Sequence, residues 1–298
     1  MTFSIVVRAR TNAGGDSPAW AYGVAVASKF LAVGSAVPAA RVDAGALATQ
    51  AMANLSWRER GLALLAQQVG AAGTLARLLG DDPLAEQRQG GIVDTRGGSA
   101  TYTGAQCLAW AGGRHGPGYA VQGNILAGEA VVEAMERTWL AGTHQAPTGP
   151  GSIIQRLLAA LAAGDQAGGD RRGRQSAALY VVAPGAGYGG SDTALDLRVD
   201  DHADPVGELH RLVGLHELYF QPPDPASLVP LQEATAIEVA RRLTALGYPV
   251  DDLQGGLEAA LGAWAEVENF EERMVPGAID LRVLHVLRHQ ARAASEPS

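Results

Sequence analysis

The amino-terminal segment MTFSIVVRAR carries a threonine in a position that suits nucleophilic catalysis. Aminopeptidases remove an initiator methionine ahead of a small residue, which would leave Thr2 with a free α-amine. A threonine hydroxyl whose own α-amine serves as base is an established activated nucleophile. The pKa of such an amine is about 8, so it can accept the hydroxyl proton near working pH. If Met1 is retained, this mechanism fails at Thr2.

A single lysine lies where it could influence that amine. The chain has 23 lysine and arginine residues, and Lys29 is the only lysine among them. If a hairpin is centred on Gly14 and Gly15, the numbers of paired residues sum to about 31, which places Lys29 opposite Thr2. A neighbouring ammonium would favour the neutral, proton-accepting amine. The alternative is a solvated lysine at a strand end.

Two further segments offer supporting groups. Ser4 shares the strand face of Thr2, because alternate residues of a strand face the same side, and it is a second candidate hydroxyl. In the QGN segment, backbone amides and the Asn124 side chain could stabilise an oxyanion. A turn that ends the strand explains the glycine there equally well.

The segment GDRRGRQS, residues 169–176, crowds arginines between glycines. Guanidinium groups in this arrangement can hold a substrate carboxylate with two parallel hydrogen bonds, and Asp170 and Gln175 would orient them. The alternative is a solvated loop whose arginines pair with surface carboxylates.

Other motifs are better explained by structure. GAGYGG resembles a dinucleotide-binding loop but leads into another strand, which predicts a hairpin loop. Cys107 and His115 could form a thiol and base pair, but a small buried cysteine explains the segment better. His285 and His289 have the spacing of a zinc pair but no accompanying glutamate, which favours an ordinary helix face. The VDDHADP segment is interpreted as a strand end and helix cap, so neither a metal nor a cofactor is expected.

Composition restricts the partners. The net charge of −8 leaves no basic surplus for a nucleic acid or an anionic membrane. One cysteine rules out an internal disulfide. No apolar run approaches the roughly 20 residues of a membrane helix, and a cytoplasmic location is expected.

The elements that must position these residues come in pairs. Strands are predicted at 2–8 and 20–29, at 119–126, and at 176–183 with 194–201. A hairpin turning at Gly97 and Gly98 is a further pair. Helices are predicted from Ser56, where Ser56 and Glu59 form a capping box, to Gly70, and at 74–79, 128–141, 152–163 and from Pro205. Hairpins that alternate with helix pairs favour an α+β fold, with two stacked antiparallel sheets and helices on the outer faces.

A proline-rich segment, QPPDPASLVP, interrupts the pattern. We therefore predict an N-terminal domain at 1–220, a linker at 221–230 and a mainly helical module at 231–298.

Several segments together resemble the bacterial family catalogued as domain of unknown function 1028. They include MTFSIVVRAR, GVAVASKFLAVGSAVPAARVDAGALATQ, GRHGPGYAVQGNILAGEAVVEAM, GGDRRGRQSAALYVV and DLRVDDHADPVGELHRL, and span about residues 2–215. This family is similar in fold to the N-terminal nucleophile hydrolases, which implies a four-layer αββα sandwich. The tail GLEAALGAWAEVENFEERMVPGAIDLRVLHVLR resembles a peptidoglycan-binding module that many members carry.

The resemblance also implies a set of site positions. The catalytic candidates are Thr2, Ser4 and Lys29. The implied substrate-binding positions are Ser28, Gln50, Asn124, Asp170, Arg171, Arg174, Gln175 and Ser176. The sequence departs from the family pattern in two places. The first loop is longer than is usual, and ANLSWRERG replaces a more common aromatic-glycine pair. Both departures affect the predicted strand register and the predicted wall of the pocket.

The sequence thus predicts a hydrolase of an amide or related C–N bond in a small carboxylate-bearing substrate, with homo-oligomers expected. The alternative is a non-catalytic protein that binds peptidoglycan fragments or precursors, since a cytoplasmic chain does not meet the mature wall. In a third interpretation the tail is a packing or dimerisation element, because its apolar residues have the helical spacing of an ordinary core.

Overall fold

The computed structural model describes residues 2–11, 19–142, 150–253 and 255–294. The chain divides into two compact units, residues 1–213 and 214–298. The division into 1–220, 221–230 and 231–298 stays a prediction. The initiator methionine and the turn predicted at Gly14 and Gly15 lie outside the described residues.

Two antiparallel sheets form the centre of the first unit. Within the described residues the larger sheet has six strands: β1 (Thr2–Thr11), β2 (Ala19–Ser28), β7 (Ala111–Gly116), β8 (Tyr119–Asn124), β9 (Ser176–Val182) and β10 (Thr193–Val199). Their order is β10-β9-β2-β1-β8-β7. The smaller sheet, again counting described residues alone, comprises β3 (Pro38–Arg41), β4 (Gly45–Ala51), β5 (Arg88–Asp94) and β6 (Ser99–Thr103), in that order.

The outer faces of both sheets are covered by helices α2 (Ser56–Ala66), α3 (Ala71–Gly80), α4 (Ala130–Gly142), α5 (Pro150–Gln166) and α6 (Pro205–Phe220). The short helix α1 (Val33–Ala36) instead places Val33 in the core between the sheets. One apolar core joins the larger sheet to α4, α5 and the first half of α6, and another joins the smaller sheet to α2 and α3. A third core fills the space between the sheets. The predicted α+β class with stacked antiparallel sheets is confirmed.

The alternation of β1 decides which residues reach the space between the sheets. Phe3, Ile5 and Val7 pack in the core beneath the helices, whereas Val6 packs between the sheets. Because side chains alternate along a strand, Thr2 and Ser4 share the face of Val6. Two hydroxyls therefore enter the space between the sheets, beyond the apolar core that contains Val6.

The structure corrects two of the predicted helix ends and confirms two predicted loops. The capping box of Ser56 and Glu59 is wrong, because the Oδ1 atom of Asn54 instead accepts hydrogen bonds from the Ser56 backbone N–H and hydroxyl, at 3.1 and 2.8 Å. Gly70 precedes α3 and does not close α2, which ends at Ala66. The hairpin at Gly97 and Gly98 is confirmed, and so is the loop interpretation of GAGYGG, which connects β9 to β10.

The second unit is small and mainly helical, as predicted. Its elements are β11 (Leu228–Pro230), α7 (Glu233–Ala245), α8 (Gly255–Glu268), β12 (Ala278–Asp280) and α9 (Leu281–Ala293). Leu243, Trp264 and Leu287 lie in its core. His285 and His289 are exposed on α9, as expected for a helix face.

Candidate active site

Several strands of the larger sheet begin or end beside Thr2. Thr2 starts β1 and pairs with Asn124 at the end of β8. Ser28 ends β2, pairs with Ser176 at the start of β9, and places its hydroxyl oxygen 3.1 Å from that of Thr2. All four side chains are buried. Four of the sequence-predicted positions therefore meet at one end of the sandwich.

Lys29 lies just outside this group. The register of β1 with β2 pairs Phe3 with Ala27, so paired numbers sum to 30 and Ser28, not Lys29, falls opposite Thr2. A shift of one residue reverses the face to which a side chain points. The exposed Lys29 side chain donates from Nζ to the carbonyl oxygen of Arg174 at 3.2 Å. The predicted pairing with Thr2 is wrong by one residue, because paired residue numbers sum to 30 and not to 31.

The Ser4 hydroxyl is hydrogen-bonded to two neighbouring carboxamide side chains. It donates to Oε1 of Gln50 at 2.6 Å and accepts from Nε2 of Gln122, also at 2.6 Å. The side chains of all three residues are buried. These contacts link β1 to β4 and β8, so the geometry favours a structural role for the second candidate hydroxyl.

Gln89, on β5, connects the two sheets behind Thr2. Its Oε1 accepts from Nε2 of Gln50 at 2.9 Å and from Nδ2 of Asn124 at 2.7 Å. Its own Nε2 donates to the carbonyl of Gly123 at 2.7 Å and to the hydroxyl of Thr103 at 2.8 Å. A carboxamide nitrogen has two hydrogens, so Asn124 keeps one beyond the hydrogen that Gln89 accepts.

Gln89 and Gln122 were not among the residues predicted for the site. The available signal was a glutamine inside each of two strand segments, RQGGIVD and YAVQGN, since buried polar side chains in strands require partners. Gly91 makes room for one of them: a Cβ atom at Gly91 would lie 2.0 Å from Oε1 of Gln122. The QGN segment is a strand end and not a turn, and Gly123 pairs with Phe3 and Gly112 on either side. Its backbone is thus engaged in the sheet, which leaves the Asn124 side chain as the remaining candidate for an oxyanion donor in this segment.

Asp170 and Ser176 hold the turn that follows β2. Oδ2 of the buried Asp170 accepts the backbone N–H of Lys29 at 2.8 Å. The hydroxyl of Ser176 donates to the carbonyl of Phe30 at 2.5 Å and accepts the N–H of Val33 at 3.1 Å. These two predicted substrate-binding residues are therefore occupied in positioning a backbone segment next to Ser28.

The arginines of GDRRGRQS are not equivalent. Arg172, which the prediction left out, pairs with Asp170 at 2.8 Å. Arg174 pairs with Asp165 at 2.8 Å, and this ion pair raises the pKa of Arg174. The exposed Arg171 forms no ion pair with any described residue, and its backbone N–H donates to the carbonyl of Ile125, next to Asn124. Among the three arginines of this segment, Arg171 is therefore the one without a carboxylate partner among the described residues.

Gln175 faces away from this group. Its Nε2 donates to Oδ1 of Asp201 at 3.1 Å, and its carbonyl accepts the N–H of His202. Gln175 was predicted to orient the arginines of this segment. Its hydrogen bonds are to Asp201 and His202 instead.

The described residues give less support to a cysteine nucleophile or a metal site. Burial raises the pKa of the Cys107 thiol, whose Sγ contacts the carbonyl of Arg88, so this thiol is a poor nucleophile. His115 lies against the hydroxyl of Ser99. In the described ranges, no three histidine, cysteine or acidic side chains are grouped as metal ligands, and no helix there is long and apolar enough to cross a bilayer.

The second unit contains two charged clusters. A buried ion pair joins Arg273 to Asp280 at 3.0 Å, and Asp280 also accepts backbone N–H groups at the start of α9. Glu238 on α7 binds Arg288 on α9 and Arg242 on its own helix, both at 2.8 Å. The hydrogen bond from Arg288 is the main reason that the pKa of Glu238 falls to about 2.

The fold and the group of strand-end residues define a two-sheet α+β protein with a buried polar site at one end. Residues 2–209 match the model of the family of unknown function DUF1028, and the chain belongs to this family. It is similar to a crystal structure of a protein from Silicibacter pomeroyi that carries the same family assignment. The two are 28% identical, with a TM-score of 0.61 over 72% of this chain and 89% of the other.

Residues 219–287 match a model described as "Putative peptidoglycan binding domain". No curated protein matches the chain. The resemblance seen in the sequence is confirmed for both parts.

Proposed function

We propose that the first unit hydrolyses an amide or related C–N bond in a small carboxylate-bearing substrate, with Thr2 as nucleophile after removal of Met1. The observation that carries the proposal is the placement of the Thr2 hydroxyl at the end of a central strand. It lies 3.1 Å from the Ser28 hydroxyl and opposite Asn124. This placement gives the hydroxyl a neighbouring partner and an amide donor in one buried site.

The reaction would proceed in two halves. Oγ1 of Thr2 bonds to the substrate carbonyl carbon while its proton passes to the Thr2 α-amine. The C–N bond then breaks, and the amine passes that proton to the leaving nitrogen. Water attacks the resulting ester in the same way, releasing a carboxylic acid product and restoring the hydroxyl. Each transfer uses groups of Thr2, so no further acid or base is required.

The neighbours of Thr2 have separate roles in this proposal. The free hydrogen on Nδ2 of Asn124 would stabilise the oxyanion, and removal of one such donor costs about 10²-fold to 10³-fold in rate. Ser28 would orient the attacking oxygen. Arg171 would bind the substrate carboxylate. Lys29 is retained as the group that tunes the α-amine, acting from one residue beyond the strand.

The first experiment measures the intact mass of the untagged native protein. A mass that lacks one methionine would expose the Thr2 amine, as the mechanism requires. The protein is then treated with a β-lactone, which acylates activated hydroxyls, and the adduct is mapped to a peptide. We expect an adduct on Thr2 that is lost in Thr2→Ala and kept in Ser4→Ala. Retention of Met1, or an adduct elsewhere, would contradict the proposal.

A second function is favoured by the match of residues 219–287 to a peptidoglycan-binding model. We propose that the second unit binds peptidoglycan fragments or precursors. The test is sedimentation of the full chain with insoluble peptidoglycan, with cellulose as control, followed by competition with soluble muropeptides. Binding to peptidoglycan alone is expected. Equal recovery with both polymers would leave the unit as a packing or dimerisation element.

A further inference from the structure

Large apolar side chains are exposed close to the buried polar site. We call them the apolar rim: Phe30 (53% exposed), Leu31 (60%), Met52 (57%) and Leu108 (66%). Single exposed apolar residues are ordinary on protein surfaces, whereas a group of them at one place marks a binding surface. The positions of the rim residues along the chain therefore matter.

Phe30 and Leu31 follow Ser28 directly along the chain. The carbonyl of Phe30 accepts the hydroxyl hydrogen of Ser176, which pairs with Ser28 in the sheet. Asp170 fixes the start of the same turn through the N–H of Lys29. The turn that presents the two apolar side chains is thus fixed by predicted site residues.

Leu108 and Met52 reach the same end from other segments. The carbonyl of Leu108 accepts the N–H of Ile125, which follows Asn124, at 3.0 Å. Met52 follows Gln50 by two residues, and its carbonyl accepts from Nη1 of Arg88. Three separate segments therefore bring apolar side chains to the strand ends that carry Thr2, Asn124 and Gln50.

The interior behind the apolar rim is polar. The buried side chains of Ser4, Gln50, Gln89, Gln122 and Asn124 are all polar and hydrogen-bonded to one another. Arg171, whose backbone N–H bonds to the carbonyl of Ile125, adds an exposed arginine whose side chain could reach a carboxylate. A ligand that fits all three features has a carboxylate, a central amide and an apolar group.

We propose that the apolar rim binds an apolar or aromatic substituent of the substrate, on the opposite side of the amide from the carboxylate. The substrate class is then a small amide of the N-acyl amino acid type or its reverse, the monoamide of a dicarboxylic acid. This inference rests on the proposed function for the assignment of the reacting bond. The apolar preference itself is a property of binding and can be measured without turnover.

Calorimetric titration of the full-length Thr2→Ala variant tests the preference. The first probe pair is N-acetylglycine and N-phenylacetylglycine, and the second is the methylamide and benzylamide of succinic acid. In at least one pair, we expect the aromatic compound to bind about tenfold tighter or more, because a phenyl ring leaves water. Phe30→Ser and Leu108→Ser, each added to Thr2→Ala, should reduce this ratio to about threefold or less.

Tyr188→Ser is the matched control. Tyr188 is 84% exposed and lies in the loop after β9, at the far end of the strand from Ser176. This change should leave the ratio intact. Equal affinities within both probe pairs would overturn the inference. So would a wild-type oligomer that Phe30→Ser converts to monomers, because the rim would then be an interface between copies of the chain.

The two proposals fail in different ways. An aromatic preference that depends on Phe30, together with no adduct or hydrolysis in the wild-type protein, would reject the hydrolase and retain the rim. A Thr2 adduct together with equal affinities for both members of each pair would retain the hydrolase and reject the rim.

Discussion

Asn124 donates from Nδ2 to Oε1 of Gln89 across the space between the two sheets, at 2.7 Å. The same acceptor takes a second hydrogen bond from Nε2 of Gln50 at 2.9 Å. One buried glutamine therefore sets the orientation of two amides beside Thr2, and its removal should affect both.

Gln89→Leu should destabilise the first unit. The change removes the acceptor of the Asn124 amide and the closest of three acceptors of the Gln50 amide in a buried site. An unsatisfied buried polar group costs about 1–3 kcal/mol. We expect a loss of about 2–4 kcal/mol, measured by urea unfolding with hydrogen exchange of β5 and β8 peptides. Gln67→Leu, at an exposed position, is the control. Similar losses in the two variants would contradict the network.

Ser4→Ala separates stability from reactivity. Loss of the hydroxyl leaves Oε1 of Gln50 and Nε2 of Gln122 each short of one partner, so we expect a loss of about 1–3 kcal/mol. The rate of β-lactone addition to Thr2 should stay within about threefold of wild type. Ser35→Ala, on the surface, should change neither quantity. Loss of the adduct in folded Ser4→Ala would make Ser4 the nucleophile.

Lys29→Met tests the tuning of the α-amine. An ammonium lowers the pKa of a neighbouring amine, so its removal should raise the midpoint of the pH dependence of Thr2 acylation. Because Lys29 is exposed and bonded to the carbonyl of Arg174, we expect a rise of only about 0.4 unit, and none in Lys29→Arg. An unchanged midpoint in Lys29→Met would reduce this lysine to a structural contact.

Glu238 should make the second unit sensitive to acid. Its pKa in the folded chain is about 2, below the ordinary value of 4.5, so its contribution to stability is complete above about pH 4.5. The contribution should disappear as the pH falls from there toward 2. Hydrogen exchange of α7 and α9 peptides, corrected for intrinsic rates, measures this loss. Glu238→Gln should weaken the dependence, whereas the exposed Glu271→Gln should not.

The buried ion pair of Arg273 and Asp280 should be costly to break. Arg273→Met leaves the Asp280 carboxylate buried without its cation, which costs about 3–5 kcal/mol. Arg282→Met removes an exposed arginine that pairs with Glu217 at 3.3 Å, and about 1 kcal/mol or less is expected. Urea unfolding, followed by the exchange of α9 amides, compares the two variants. Comparable losses would show that the buried pair has no special role.

Local sequence predicted much of the fold and only part of the site. Strands ending near Thr2, Ser28 and Asn124 follow from alternation and turn residues, which act over a few neighbours. The predicted position of Lys29 was wrong by one residue. The register of two strands depends on the segment that connects them, and its turn geometry cannot be inferred from the residue types alone. Gln89 was missed because its partners lie on other strands and in the facing sheet.

The same limit applies to charged side chains. The sequence placed arginines and Asp170 in one segment, but the partner of Arg174 is Asp165, nine residues earlier, at the end of a helix. The folded structure therefore decides which of these arginines forms an ion pair within the chain and which is available for a ligand. Only after the pairs of Arg172 and Arg174 are known does Arg171 emerge as the candidate.

The lining of the interior is made of carboxamides and hydroxyls. Carboxamides neither gain nor lose a proton in the physiological range. The wall behind Thr2 therefore keeps the same charge whether its surroundings are mildly acidic or alkaline. The pH dependence of Thr2 acylation would thus report the α-amine that accepts the proton, and not the amide groups of the wall behind it.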